Sequence, residues 1–100
     1  MTDRLANAID ILDHLVAFPS ISGRPNSDIT GYIQGVLASH GIDSTLSFEE
    51  TGERANVFAT IGPAVDGGVV LNGHTDVVPV EGQAWRTDPF TLTRDGDRLY

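Results

Sequence analysis

Leu5, Ala8, Ile9, Leu12, Leu15 and Val16 recur at steps of three and four, the spacing that lays one apolar stripe along a helix. Thr2 or Asp3 stands where a capping side chain belongs. The stripe stops at "FPSISGRP", because Pro19 cannot continue a helix and Gly23 and Pro25 mark a loop. A second stripe, Ile29, Tyr32, Ile33, Val36 and Leu37, predicts a helix capped by Ser27 and closed by Gly41. Beyond Gly41 the period becomes two. Ile42, Ser44, Leu46 and Phe48 share one face of a predicted strand, and Val57, Ala59 and Ile61 share one face of the next. Phe58 makes that second strand apolar on both faces. The run Val69 to Asn72 predicts a third strand, short and apolar like the buried centre of a sheet. "RDGDR" carries an Asp-Gly turn between Phe90–Arg94 and Arg98–Tyr100, the mark of a hairpin. This order predicts an α/β fold, two N-terminal helices packed on a mixed β-sheet, with the sheet unfinished at Tyr100.

Composition narrows the function classes. The chain has 100 residues, 40% of them apolar and 20% charged, which fits one small globular unit or part of a larger one. No repeat or low-complexity tract divides it. Fourteen acids face six bases, giving a net charge of −8. That charge argues against nucleic acid or an anionic membrane as partner. With no cysteine there is neither a disulfide framework nor a thiolate metal site, so any metal must take histidine or oxygen ligands. "MTDRLANAID" lacks the basic start and apolar core of a secretory signal, and no apolar run approaches the roughly 20 residues of a membrane span. A soluble cytoplasmic protein is expected.

The chemistry concentrates in "LNGHTDVVPVEG". In extended backbone, residues two apart point to the same side, so His74 and Asp76 are expected to lie side by side where the third strand ends. Open α/β sheets bind ligands beyond such strand ends. A histidine there can ligate a metal through one ring nitrogen while a carboxylate fixes the other. The spacing leaves two readings open: a hydrogen-bonded pair in a surface turn, or a metal ligand with its supporting carboxylate.

Other candidates read as structural. His14 and His40 occupy ordinary helical positions facing solvent or a helix end. Glu49, Glu50 and Glu53 form a solvated acidic turn. "GPAVDGG" lacks the phosphate-loop lysine and the dinucleotide spacing. Ser20 and Ser22 lack the context of a nucleophile elbow. Trp85 and Phe90 read as packing anchors.

Taken together, "FPSISG", "ERANVFATIG", "LNGHTDVVP" and "WRTDPFTLTRDGDRLY", in this order and spacing, resemble the amino-terminal part of the M20 metallopeptidase family. The resemblance covers nearly the whole chain. It implies residues 1–100 of a catalytic α/β domain whose later segments, and whose inserted dimerisation domain, are not in this sequence. It implies metal-assisted amide hydrolysis with two zinc ions per complete site, cobalt also being competent. His74 matches the family's first metal-ligand histidine, and Asp76 the catalytic-site aspartate beside it that orients that histidine. The bridging aspartate, the glutamate pair and the final histidine have no counterpart here, so these 100 residues are expected neither to bind metal tightly nor to catalyse. The implied partner is a small N-acyl amino acid, and the complete enzyme a homodimer.

Within the family, "TDPFTLT" and "ERANVFATIGP" favour members that remove the acetyl group from N2-acetyl-L-ornithine in arginine biosynthesis. Members that desuccinylate succinyl-diaminopimelate share the His-Thr-Asp-Val-Val-Pro stretch, and broader aminoacylases or dipeptidases remain alternatives. A reading from a different class is a truncated, non-catalytic module that uses an open sheet edge for pairing.

Overall fold

A computed structural model describes residues 3–100; Thr2, one of the two expected caps, lies outside the described residues. Helix α1 runs Asp3–Ala17 and helix α2 runs Ser27–Ser39. Both follow the expected stripes, and α2 carries the larger share of burial. Ile29 is 3% exposed, while Tyr32, Ile33, Val36 and Leu37 are half-buried on the same face. In α1 no residue is buried, and Leu5 and Leu12 of its stripe are exposed. The two helices meet through aromatic rings. His14 stacks on Tyr32 with centroids 5.2 Å apart, and Phe18 tilts against the same ring at 5.7 Å.

The close of α2 is as its glycine predicts. Gly41 has φ of +71°, its N–H donates to the Ala38 carbonyl at 2.9 Å, and the Ile42 N–H reaches back to the Leu37 carbonyl at 3.0 Å. These two bonds are the Schellman pair that satisfies the last helical carbonyls. The start of α2 differs from expectation. Asn26, not Ser27, is the N-cap, and its side chain makes no capping hydrogen bond. Instead the Asn26 amide is spent on a neighbouring strand: Nδ2 donates to the Ala55 carbonyl at 3.0 Å and Oδ1 accepts from the Ala55 N–H at 2.9 Å.

Strands β1 (Ser44–Phe48) and β2 (Ala55–Ala59) pair antiparallel, with Leu46 opposite Val57 and Phe48 opposite Ala55. Alternation puts Ser44, Leu46, Ala55, Val57 and Ala59 on the half-buried or buried face, and α2 packs on this hairpin. Gln34 fixes the packing by donating to Ser44 Oγ at 3.1 Å. The strand expected to continue to Ile61 ends at Ala59, and Ile61 is exposed. Strands β3 (Arg94–Asp95) and β4 (Arg98–Leu99) form the expected second hairpin, extended by mutual hydrogen bonds between Thr93 and Tyr100. Its central turn pair is Gly96–Asp97 rather than Asp95–Gly96. Gly96 has φ of +63°, whereas Asp97 is not among the residues with positive φ, which is the arrangement of a turn with glycine first.

The expected third strand is not formed. Val69 to Asn72 has no strand pairing, and Val69, Val70 and Leu71 are 87%, 86% and 93% exposed. An apolar run states a preference for burial but supplies no neighbour, and a strand exists only through its neighbour's backbone. Trp85 is likewise no packing anchor: it is half exposed, with its indole N–H on Gln83 Oε1 at 3.1 Å, whereas Phe90 is half-buried.

The mixed α/β class is thus borne out, and the core is small. Among the described residues only Ile29, Thr30 and Ala55 are buried. The accessible surface is 8103 Å², against roughly 5,500 Å² for a compact chain of this mass. The Cα radius of gyration is 15.7 Å, against about 13 Å for a compact domain of this length. No helix among the described residues is long and apolar enough to cross a membrane.

Candidate functional site

The backbone first brings two distant segments together. Ser20–Ser22, after α1, lies parallel to Thr75–Val77, and one isolated parallel bridge joins Ile21 to Val77. The Ser22 N–H donates to the Val77 carbonyl and the Val77 N–H to the Ser20 carbonyl, both at 2.9 Å. Pro19 and the glycine at 23 keep helix out of this stretch, so its backbone groups are free to pair with another segment. The two serine hydroxyls add to the clasp. Ser20 Oγ donates to the Thr75 carbonyl at 2.7 Å, and Ser22 Oγ donates to Asp76 Oδ2 at 2.7 Å.

On this clasp sits the pair singled out in the sequence. His74 Nδ1 is 2.8 Å from Asp76 Oδ1 and 3.0 Å from the Asp76 carbonyl. Thr75, between them, is half-buried while His74 and Asp76 are exposed, as alternation along extended backbone requires. The Asp76 carboxylate is therefore engaged at both oxygens. Its pKa lies below the ordinary aspartate value, first because the Ser22 hydroxyl bonds the charged form and next because His74 does.

This geometry assigns the imidazole tautomer. An ionised carboxylate and a carbonyl can only accept, so Nδ1 carries the proton and Nε2 of the neutral ring keeps its lone pair. No protein group holds Nε2 in place of a ligand among the described contacts, and the His74 side chain is 83% exposed. It borders an open groove of about 880 Å³, along with Ser22, Arg24, Asn56, Phe58 and Asp76. An imidazole held at Nδ1 and open at Nε2 fits one ligand of a metal ion. A zinc site takes three or four protein ligands, and among the described residues no group of three or more histidine, aspartate and glutamate side chains gathers around one point.

The other candidates take structural parts. His14 Nδ1 donates to the Asp10 carbonyl at 2.8 Å and His40 Nδ1 to the Val36 carbonyl at 2.9 Å. In the acidic turn, Glu49 accepts from the Arg54 guanidinium at both oxygens and from Thr51 Oγ1. Arg54 first, then Thr51, hold its pKa down to about 2. Reading the sequence missed the service of Ser20 and Ser22. Their partners stand 55 and 54 residues away, beyond the reach of any local pattern.

No family model matches the chain, and no solved structure matches it. The likeness to the M20 family read from the residues is nonetheless shown: the chain is similar throughout to the amino-terminal part of such enzymes. The curated relatives in question are acetylornithine deacetylases. That of Photorhabdus laumondii is 34% identical over 107 aligned positions, which take in 100% of this chain and 28% of the relative. Those of Proteus mirabilis and Klebsiella pneumoniae are 34% and 33% identical, again over the whole chain, with 27% and 28% of their own length covered. The chain thus spans little more than a quarter of these relatives.

Proposed function

We propose that this chain supplies the first part of the catalytic domain of a metal-dependent hydrolase acting on linear amides, of the acetylornithine deacetylase kind. The observation that carries the proposal is the Ser22–Asp76–His74 arrangement within a chain similar along its whole length to deacetylases. His74 would present Nε2 to one zinc or cobalt ion, and Asp76 would hold its ring and tautomer. A second metal and the remaining ligands would come from sequence beyond these 100 residues. When bound, such a metal pair supplies Lewis acidity and a nucleophile at neutral pH. This chain's own part is to fix one ligand and to border the groove beside it.

The substrate proposed is N2-acetyl-L-ornithine, which places the reaction in arginine biosynthesis. The names of the matching relatives and the "TDPFTLT" and "ERANVFATIGP" segments support it over a succinylated diamino acid. A cytoplasmic, homodimeric complete enzyme belongs to the same reading.

Two steps test it. Sequencing the coding DNA past the Tyr100 codon is expected to reveal an open frame with a Gly-rich segment bearing an aspartate, then a glutamate pair. A stop codon there would overturn the catalytic reading in favour of a non-catalytic module. The full product is then assayed on N2-acetyl-L-ornithine and N-succinyl-diaminopimelate. Faster turnover of the acetylated substrate is expected, and preference for the succinylated one would overturn the substrate assignment.

A further inference from the structure

We propose that Ser22 is a positioning residue for the metal-ligand histidine: by fixing the free oxygen of the Asp76 carboxylate, it keeps His74 in the Nδ1–H tautomer with Nε2 outward. This rests on the reading of His74 as a ligand and extends it to a residue 52 positions earlier in the chain.

A carboxylate attached through one Cβ can turn about χ2, and a single hydrogen bond from the imidazole leaves that turn open. Ser22 Oγ, 2.7 Å from Oδ2, supplies the second point. With Oδ2 tied to Ser22 and Oδ1 at 2.8 Å from Nδ1, the carboxylate plane is set by two separate segments. The hydroxyl is itself held in place, because Ser22 donates its N–H to the Val77 carbonyl one residue beyond the aspartate. The pair is exposed, the side chains of His74 and Asp76 being 83% and 55% accessible. Water competes for every one of these bonds there, so orientation has to come from several weak restraints acting together. Ser20 serves a different end. Its hydroxyl bonds the Thr75 carbonyl, which holds the backbone clasp without touching the carboxylate.

The two serines therefore separate positioning from mere folding. The 100-residue chain is labelled with 15N-histidine, and long-range 1H–15N correlations are recorded at alkaline pH. His74 is expected to be predominantly Nδ1–H in the parent chain. In Ser22→Ala that population is expected to fall several-fold, towards the Nε2–H form that an unrestrained imidazole prefers in water. Ser22→Thr, which keeps the hydroxyl, is expected to restore it, and Ser20→Ala to leave it largely intact. The His14 and His40 signals, which sit on helical carbonyls four residues back, report whether the helices persist in each variant, and Ser20→Ala, which loosens the same backbone clasp, controls for loss of the clasp itself. An unchanged His74 tautomer in a folded Ser22→Ala, or equal losses in Ser20→Ala and Ser22→Ala, would overturn the role of Ser22 while leaving His74 as a ligand. A parent chain with His74 predominantly Nε2–H would overturn both.

Discussion

The side-chain amide of Asn26 pairs with both backbone groups of Ala55, as a neighbouring strand would, with bonds of 3.0 and 2.9 Å. The Asn26 N–H adds a bond to the Glu53 carbonyl at 3.2 Å. Among the described residues Ala55 is one of three that are buried, and Ile29 and Thr30 of the helix that Asn26 caps are the other two. The residue thus joins α2 to β2 at the centre of what core there is. Asn26→Ala would strand a buried N–H and a buried carbonyl, at a cost of about 1–3 kcal/mol. Asn26→Asp keeps the acceptor, loses the donor and sets a charge beside a carbonyl, so its cost is at least as large as that of a single lost bond. Denaturant midpoints of the three chains check this; equal midpoints would contradict the bridging role.

The Glu49–Arg54 pair predicts a pH dependence. Glu49 has an ordinary pKa of 4.5, and bonds from Arg54 and Thr51 lower it to about 2 in the folded chain. A folded-state pKa below the unfolded one means the charged form favours folding. Its contribution is complete above pH 4.5 and fades as pH falls towards 2. The pair is exposed, so the contribution is small and screened by salt. The parent chain is expected to have a higher unfolding midpoint than Glu49→Gln near neutral pH, and the gap to close on acidification through that window. A gap that persists unchanged at the acid end would show that the pair is not its source.

The local code and the distant code fared differently. Stripes in α1 and α2, the Gly41 close, the period-two strands of the first hairpin and the glycine turn of the second were all legible, because each depends on residues within a few positions. His74 and Asp76 were legible for the same reason, being two apart. Asn26, Ser20 and Ser22 were not. Each is a small polar residue in a loop, and nothing nearby says that its hydrogen bond goes to a backbone or carboxylate 29, 55 or 54 residues on. The run Val69 to Asn72 predicts a buried strand that does not form, because periodicity reports what a segment prefers and not whether a partner is present.

That exposed run, with Phe58, Ile61 and Val65 also more than 65% exposed, predicts how the 100-residue chain behaves alone. The three buried residues among those described offer little hydrophobic stabilisation against the entropy of ordering the chain. The chain is expected to bind an apolar dye such as ANS strongly and to unfold over a broad thermal range. Replacing Val70 with aspartate should lower dye binding with little change in helix content by far-UV circular dichroism. A sharp transition in a monomer that binds no dye would contradict the unfinished core.

Metal affinity separates what this chain holds from what it would contribute. One imidazole, however well oriented, cannot replace the three or four protein ligands of a zinc site. Calorimetric titration of the 100-residue chain with zinc is therefore expected to show no sub-micromolar site, and His74→Ala to change little. In the full product proposed above, the same substitution removes a direct ligand and is expected to abolish tight binding of one metal. Asp76→Ala there leaves the ligand but frees its ring, and the loss expected on removing such a support is about 10–100-fold in affinity. The order His74→Ala worse than Asp76→Ala follows from direct against indirect contact. Tight zinc binding by the 100-residue chain, lost in His74→Ala, would mean that the described residues assemble a site by themselves. Equal affinities of Asp76→Ala and the parent full product would remove the aspartate from any part in holding the ligand.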